Sequence, residues 1–252
     1  MDFGHNEIRF IYGKPALVIA VRGTKYLVVG DLHIGIELEL ARKGITVYDA
    51  TERLAHSIKK IMHEFSIRKL VLLGDVKNSI MWPPKAELSM LKSFFQEINN
   101  FEVYTIAGNH DAHLGEVVGT EIRKELIIGN IALTHGHAMP SEQAMACDYL
   151  ITAHNHIAIA EKGKDGSFKE EKAWLIALPS GKNASKHYTH FNKDIRLIVM
   201  PAFNELITGT PVNSLRKDKM GALFSSGLFT MHGAKVYTLW GAELAFGAIP
   251  KV

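Results

Sequence analysis

Thiol chemistry is almost absent from this sequence: 252 residues contain a single cysteine, Cys147. No intrachain disulfide can form, so a packed core has to hold the fold, and a reducing compartment is the natural setting. Long apolar runs are missing too, and none approaches the roughly 20 residues that span a bilayer. The opening "MDFGHNEIRF" has neither the basic start nor the apolar stretch of a signal peptide. These absences lead to the expectation of a cytoplasmic protein with no membrane association. An excess of either charge is missing as well, with 29 Lys and Arg against 26 Asp and Glu. The net +3 neither demands nucleic acid nor argues against it, because a basic groove can hide inside a balanced total. Nothing repeats at a fixed period and no low-complexity linker divides the chain, so one domain over residues 1–252 is expected. With 47% hydrophobic and 22% charged residues, the chain is not disordered and can bury a core unaided.

What the sequence has in excess is histidine. There are 13, and several fall in tight internal sets, "HGH" at 135–137 and "HNH" at 154–156. A tag would be terminal and contiguous. Clustered internal histidine is the compositional sign of a metal site.

The apolar pattern gives these sets a position. "EIRFIYG", "PALVIAV" and "KYLVVG" read as strands, with turns at Gly13 and "RGT". "GIELELARKG" has helical spacing and stops at Gly44. "DATERLAHSIKKIMHEF" is a stronger helix, with Leu54, Ile58, Ile61, Met62 and Phe65 on one face and Asp49 or Thr51 as its cap. A buried strand, "KLVLLGD", precedes a helix from about Lys85 to Ile98, and "FEVYTIA" is the next strand. From there the chain turns β-rich. "NIALTHGH" and "DYLITAHNH" run strand into histidine, with a short helix near "SEQAMAC" between them. "IAIAEKG" and "FKEEKAWLIALP" form a hairpin about "KDGS"; "DIRLIVMPAF" and "AKVYTLWGAELAF" supply the last strands.

Five apolar strands therefore end in metal-competent side chains: Asp31 and His33, Asp75, Asn109 to Asp111, His135, and His154 with His156. In α/β sheets ligands bind at the carboxyl ends of the strands, where helices and loops leave room. The donors are carboxylate, amide and imidazole, without thiolate. That mixture suits Mn²⁺, Fe²⁺ or Zn²⁺ better than a structural thiolate zinc site. "DLH" or "GD" alone is a common turn, and "GNHD" alone can be a loop capped by Asn109. Their order and strand-end placement carry the metal reading.

That order, D-x-H, G-D, G-N-H-D, H and H-x-H across residues 31–156, resembles the calcineurin-like metallophosphoesterases. The resemblance implies a four-layer αββα sandwich, two mixed sheets flanked by helices, around a two-metal centre. It implies Asp31, His33 and His156 at the first metal, Asn109, His135 and His154 at the second, and Asp75 bridging them. Manganese is the expected metal, with Fe²⁺, Zn²⁺ or Ni²⁺ as alternatives. More narrowly, "GDLHIGIELEL", "LLGDVK" and "PAFNELITGTPVN" are similar to archaeal SbcD-related phosphoesterases, and through them to bacterial ligase-associated DNA-repair phosphoesterases. Two positions depart from the family pattern. Ala153 replaces a glycine before H-x-H, and Asn78 stands where histidine or aspartate is common.

The chemistry so implied is hydrolysis of phosphate diesters by in-line attack of a water activated between two cations. DNA or a nucleotide is the expected substrate and a DNA-repair protein the expected partner. His110 is the expected general acid, with Asp111 supporting its imidazole. His137 is expected behind the ligands. His113, His187 and His190 are exposed or line a groove, and His5, His56, His63 and His232 are surface or packing residues. Cys147 is expected to be buried and inert. "KNASK" at 182–186 and "RKDK" at 216–219 are expected to be solvated loops. The residues after 156 are expected to complete the second sheet and to leave little room for a capping domain, so an open site is expected. Two other functions compete: a phosphomonoesterase on nucleotides or metabolites, and a non-catalytic protein-binding scaffold. The intact ligand set and "NHD" count against the scaffold.

Overall fold

Apolar alternation in the first third of the chain folds into one sheet of the computed structural model, which describes residues 6–162, 165–213 and 220–245. Among the described residues this sheet has six strands in chain order. They are β1 (Asn6–Phe10), β2 (Leu17–Val21), β3 (Thr24–Val29), β4 (Lys69–Leu73), β5 (Glu102–Ile106) and β6 (Ile122–Arg123). The first three are antiparallel and need only short turns. From β3 to β6 the strands are parallel, and parallel neighbours need crossovers. Helices supply them: α1 (Ile36–Arg42) and α2 (Ala50–Glu64), then α3 (Lys85–Glu97), then α4 (Leu114–Val118). The helical spacing in α2 buries Leu54, Ile58, Ile61 and Met62 against β3 and β4 residues such as Leu27 and Leu70. Asp49 stands at the N-cap of α2 but makes no capping bond. Thr51 Oγ1 donates to Glu37 Oε1 at 2.8 Å and so ties α2 to α1.

The second sheet has nine described strands. They are β7 (Glu125–Ile128), β8 (Ile131–Thr134), β9 (Tyr149–Thr152), β10 (Ile157–Lys162), β11 (Phe168–Pro179), β12 (Arg196–Val199), β13 (Thr210–Pro211), β14 (Phe229–Thr238) and β15 (Glu243–Ala245). Here β8 and β9 are parallel, as are β9 and β12. The expected hairpin is β10–β11. Helices α5 (Glu142–Met145), α6 (Gly181–Ala184) and α7 (Gly221–Ser225) bury Met145, Ala184 and Phe224 against its outer face. Three apolar layers follow. One lies under α2, α3 and α4, one between the sheets, and one under α5, α6 and α7. This is the expected αββα sandwich. The segment "DIRLIVMPAF" leaves the sheet after Val199, earlier than its apolar run suggests, and crosses toward the first sheet, where Phe203 N donates to Gly30 O at 2.9 Å.

Trp174 anchors the middle layer. It is 2% exposed on β11 and meets Phe10 of the other sheet edge to face, with ring centroids 4.6 Å apart. Trp174→Ala is expected to lower unfolding free energy by about 3–5 kcal/mol, because a large void would open between two sheets that cannot collapse onto it. Equilibrium denaturant melts measure this, and a shift below about 1 kcal/mol would mean that the layer does not depend on the indole.

Candidate metal centre

β3, β4 and β5 lie side by side in parallel, as do β8 and β9, so their carboxyl ends gather at one seam between the sheets. Pairing continues past the strand ends. Asp31 N donates to Gly74 O at 3.0 Å, His33 N to Asp75 O at 2.9 Å, and Ala153 N to His135 O at 3.0 Å. The seam is crossed directly where His154 N donates to the Asp31 carboxylate at 3.2 Å. Asp31, His33, Asp75, His154 and His156 all have positive φ, 55°, 43°, 49°, 67° and 45°. Left-handed backbone at a residue with a Cβ costs on the order of 1 kcal/mol, and persists where the surroundings over-determine it. Five such residues at one seam are a functional signal independent of their side chains.

Those side chains converge. Asp31, His33 and His156 bring one ligand atom each to within 4.8 Å of one another, as do Asp75, His135 and His154, and likewise His33, Asp75 and His110. His156 Nε2 is 3.4 Å from Asp31 Oδ1, and Asp75 Oδ2 is 3.2 Å from His135 Nε2 and 3.7 Å from His33 Nε2. These contacts are close without being aligned as hydrogen bonds. Both ring nitrogens of His33, and Nε2 of His135 and of His156, are buried with no hydrogen-bond partner among the described residues. A buried imidazole nitrogen left so costs on the order of 1–3 kcal/mol unless something else binds it. Divalent cations fit that need, since the set offers oxygen and imidazole donors around two centres.

Electrostatics agree with the geometry. Burial presses His33 and His154 down to about 4, leaving neutral rings with lone pairs. Burial acts the same way on His135, yet Asp75 and Asp31 override it and hold its ring protonated up to about 9. Its Nδ1 lies 2.9 Å from the Leu73 carbonyl, which can only accept, so Nδ1 carries a hydrogen and Nε2 points at Asp75. A cation bound there takes the place of the Nε2 proton. Burial raises the Asp75 carboxyl, but the facing His135 imidazolium, with the His110 amide and the His33 ring, outweighs that and holds it below the usual carboxylate range.

The "GNHD" turn is built around Asp75. A Cβ at Gly108 would sit 2.1 Å from Asp75 Oδ1, so only glycine lets the chain pass. His110 N then donates to that same oxygen at 2.8 Å. Asp111 departs from expectation: it does not hold the His110 ring. Its Oδ1 accepts from Val76 N at 2.9 Å and Lys77 N at 3.2 Å, and its Oδ2 from Gly108 N at 2.8 Å. The group facing the ring is the Asn78 carbonyl, 2.5 Å from His110 Nδ1. A carbonyl only accepts, so Nδ1 carries the hydrogen and Nε2 is left for chemistry. Asn109 is exposed beside the centre.

Sequence reading missed the Asn78 carbonyl, because a backbone oxygen has no letter of its own. It also missed Lys77. This lysine is fully buried, and its ammonium donates to the carbonyls of Ser79, Ile80 and Met81, fixing the loop that carries Asn78. Lys172 was missed as well. Burial presses its amine down to about 8, it donates to Ala202 O and Asn204 O at 2.7 and 2.6 Å, and its charge faces Asp31. Ala153 has an evident counterpart, since its methyl occupies the space that a Cβ at Gly30 would need. His137 is exposed, its ring 5.4 Å from that of His135 and 6.2 Å from that of His154. His187 and His190 are exposed, Cys147 is buried, and "KNASK" spans the end of α6. His5 and "RKDK" lie outside the described residues. No helix among the described residues is long and apolar enough to cross a membrane.

Compared with known proteins, residues 24–238 match the calcineurin-like phosphoesterase family. No curated protein matches the chain. The structure of nuclease MPE from Pseudomonas putida superposes with a TM-score of 0.60 at 16% identity, covering 95% of this chain and 100% of that one. The phosphoesterase Yfce from E. coli aligns with 57% of this chain and 75% of its own at 21% identity, with a TM-score of 0.34. The first likeness supports the sandwich, and the second is too partial to argue from.

Proposed function

The chain belongs to the calcineurin-like phosphoesterase family and is a metal-dependent phosphate-ester hydrolase, and we propose that its substrates are diesters, with nucleic acid or a nucleotide supplying the ester. In this reading Asp31, His33 and His156 hold one divalent ion, Asn109, His135 and His154 hold the other, and Asp75 is shared. Manganese suits the oxygen and imidazole donors best, and a place in DNA repair rests on the likeness of the sequence motifs. Two bound cations supply a water acidic enough to attack at neutral pH and neutralise the phosphate oxygens.

The observation that carries the diester reading is the aim of His110. Its Nδ1–H is held by the Asn78 carbonyl and its ring stands 4.9 Å from that of His33, so Nε2 is free beside the centre. When protonated, that nitrogen donates to a leaving alkoxide. The poor leaving group of a diester needs such a proton. Gly108, Asp111 and Lys77 act through position, holding the two loops that meet at this ring. The solved neighbour described as a nuclease directs the substrate class toward nucleic acid.

Matched aryl and alkyl mono- and diesters, assayed on the Mn²⁺-loaded protein, test the reading. Diesters are expected to show the larger kcat/KM, with monoesters as slow substrates or inhibitors because their extra charge sits tightly on two cations. A larger kcat/KM for monoesters would make this a phosphomonoesterase, and no hydrolysis of either would favour the scaffold.

A further inference from the structure

Next to His110 the loop after β4 exposes three large apolar side chains in a row. Ile80, Met81 and Trp82 are 57, 69 and 56% exposed. A run of this kind usually marks a recognition surface, since it gains nothing from water. Nor is the loop free to fold its side chains away. Lys77 donates to the carbonyls of Ser79, Ile80 and Met81, while Glu87 Oε1 accepts from Asn78 N at 3.1 Å and from Ser79 N and Oγ at 2.9 Å. The loop's one cation is thus buried and occupied, which leaves an apolar exposed face unsuited to phosphate.

Trp82 leans on His113, with ring centroids 5.6 Å apart. His113 is in turn held by Glu116 at 2.9 Å. The pair joins His110 from both directions along the chain, through Asn78 on one side and the turn that follows "GNHD" on the other. A general acid stands at the leaving oxygen, so the loop whose Asn78 carbonyl holds the His110 ring flanks the organic group on that oxygen.

We propose that Trp82, braced by His113, is a stacking surface for the base of the leaving nucleoside. The inference rests on the diesterase reading above and adds the class of group recognised on the leaving side. A flat aromatic face binds every base and carries little sequence preference. Met81 adds a soft, adaptable contact at its edge.

The test uses two diesters that differ only in the leaving arm, one a nucleoside and the other its abasic deoxyribose. Trp82→Ala is expected to raise KM for the first by roughly 5- to 20-fold, with kcat near the parent value, and to change the abasic KM by less than about 2-fold. Trp82→Phe should recover most of the loss. Running the same comparison on a dinucleotide and on a single-strand end tells which source of base the surface serves. An equal rise in both KM values, or none in either, would overturn the proposal. A second readout does not need turnover. A dinucleotide should quench tryptophan emission of the metal-loaded His110→Asn protein, and the added Trp82→Phe change should remove that quench. Quenching that survives it also overturns the proposal. If the metal-loaded parent hydrolyses no diester, the diesterase reading has failed, and the fluorescence arm still decides the stacking.

Discussion

Asp75→Asn is expected to empty both halves of the centre at once. The carboxylate belongs to two of the three groups and reaches the third through His33, with Oδ2 3.2 Å from His135 Nε2 on one side and 3.7 Å from His33 Nε2 on the other. Its Oδ1 also accepts from His110 N, so its position is fixed from three directions. Asparagine keeps the size, and at a site only 2% exposed it should fit without disturbing the core. What it loses is the negative charge that lets two cations sit close together. Elemental analysis of the Mn²⁺-loaded protein should give two ions per chain for the parent and fewer than one for the variant. Diesterase activity should fall by roughly 10³-fold or more, since the charge stabilisation that cations contribute amounts to several kcal/mol. His156→Asn is the contrast, because His156 contacts Asp31 and belongs to one group alone. It should lose one ion and keep the other. Two ions retained in Asp75→Asn would show that no shared carboxylate holds this centre.

Much of this centre was legible in the sequence because parallel strands end where ligands bind, and an apolar run that empties into Asp or His marks such an end. Asp31, His33, Asp75, His135, His154 and His156 were each read on that basis, and the seam gathers them. Short elements were less legible. β6 and β7 lie in "EIRKELII", where charge interrupts the alternation, and pairing with β5 and β8 makes them strands. α4, α6 and α7 are a turn or so long and owe their state to packing, since so short a helix has little stability of its own. Within the site, what escaped was work done by the backbone. The letters "NHD" suggest a carboxylate supporting an imidazole, but folding puts a carbonyl there and turns Asp111 toward three amide groups. The positive φ angles at the proposed ligands are invisible in one sequence for the same reason: no letter but glycine announces them.

His110→Asn separates proton donation from metal binding. A ligand atom of His110 lies within 4.8 Å of those of His33 and Asp75, close enough to bind a metal beside them. The Asn78 carbonyl argues for donation, since it holds Nδ1–H and fixes which nitrogen faces the site. On that argument both ions stay bound in the variant. A diester with a poor alkoxide leaving group should slow by roughly 10²- to 10⁴-fold, and one with a nitrophenolate leaving group by less than about 10-fold, because that anion departs without a proton. Asp111→Asn should show the same leaving-group dependence more weakly. It touches His110 only through the amides of Val76, Lys77 and Gly108, and its amide oxygen can still accept from some of them. Equal losses on both substrates with two ions retained would make His110 a positioning group or an electrophile on a phosphate oxygen. Loss of an ion would make it a ligand, and the Asn78 carbonyl would then serve to orient that ligand, as carbonyls behind metal-bound imidazoles do.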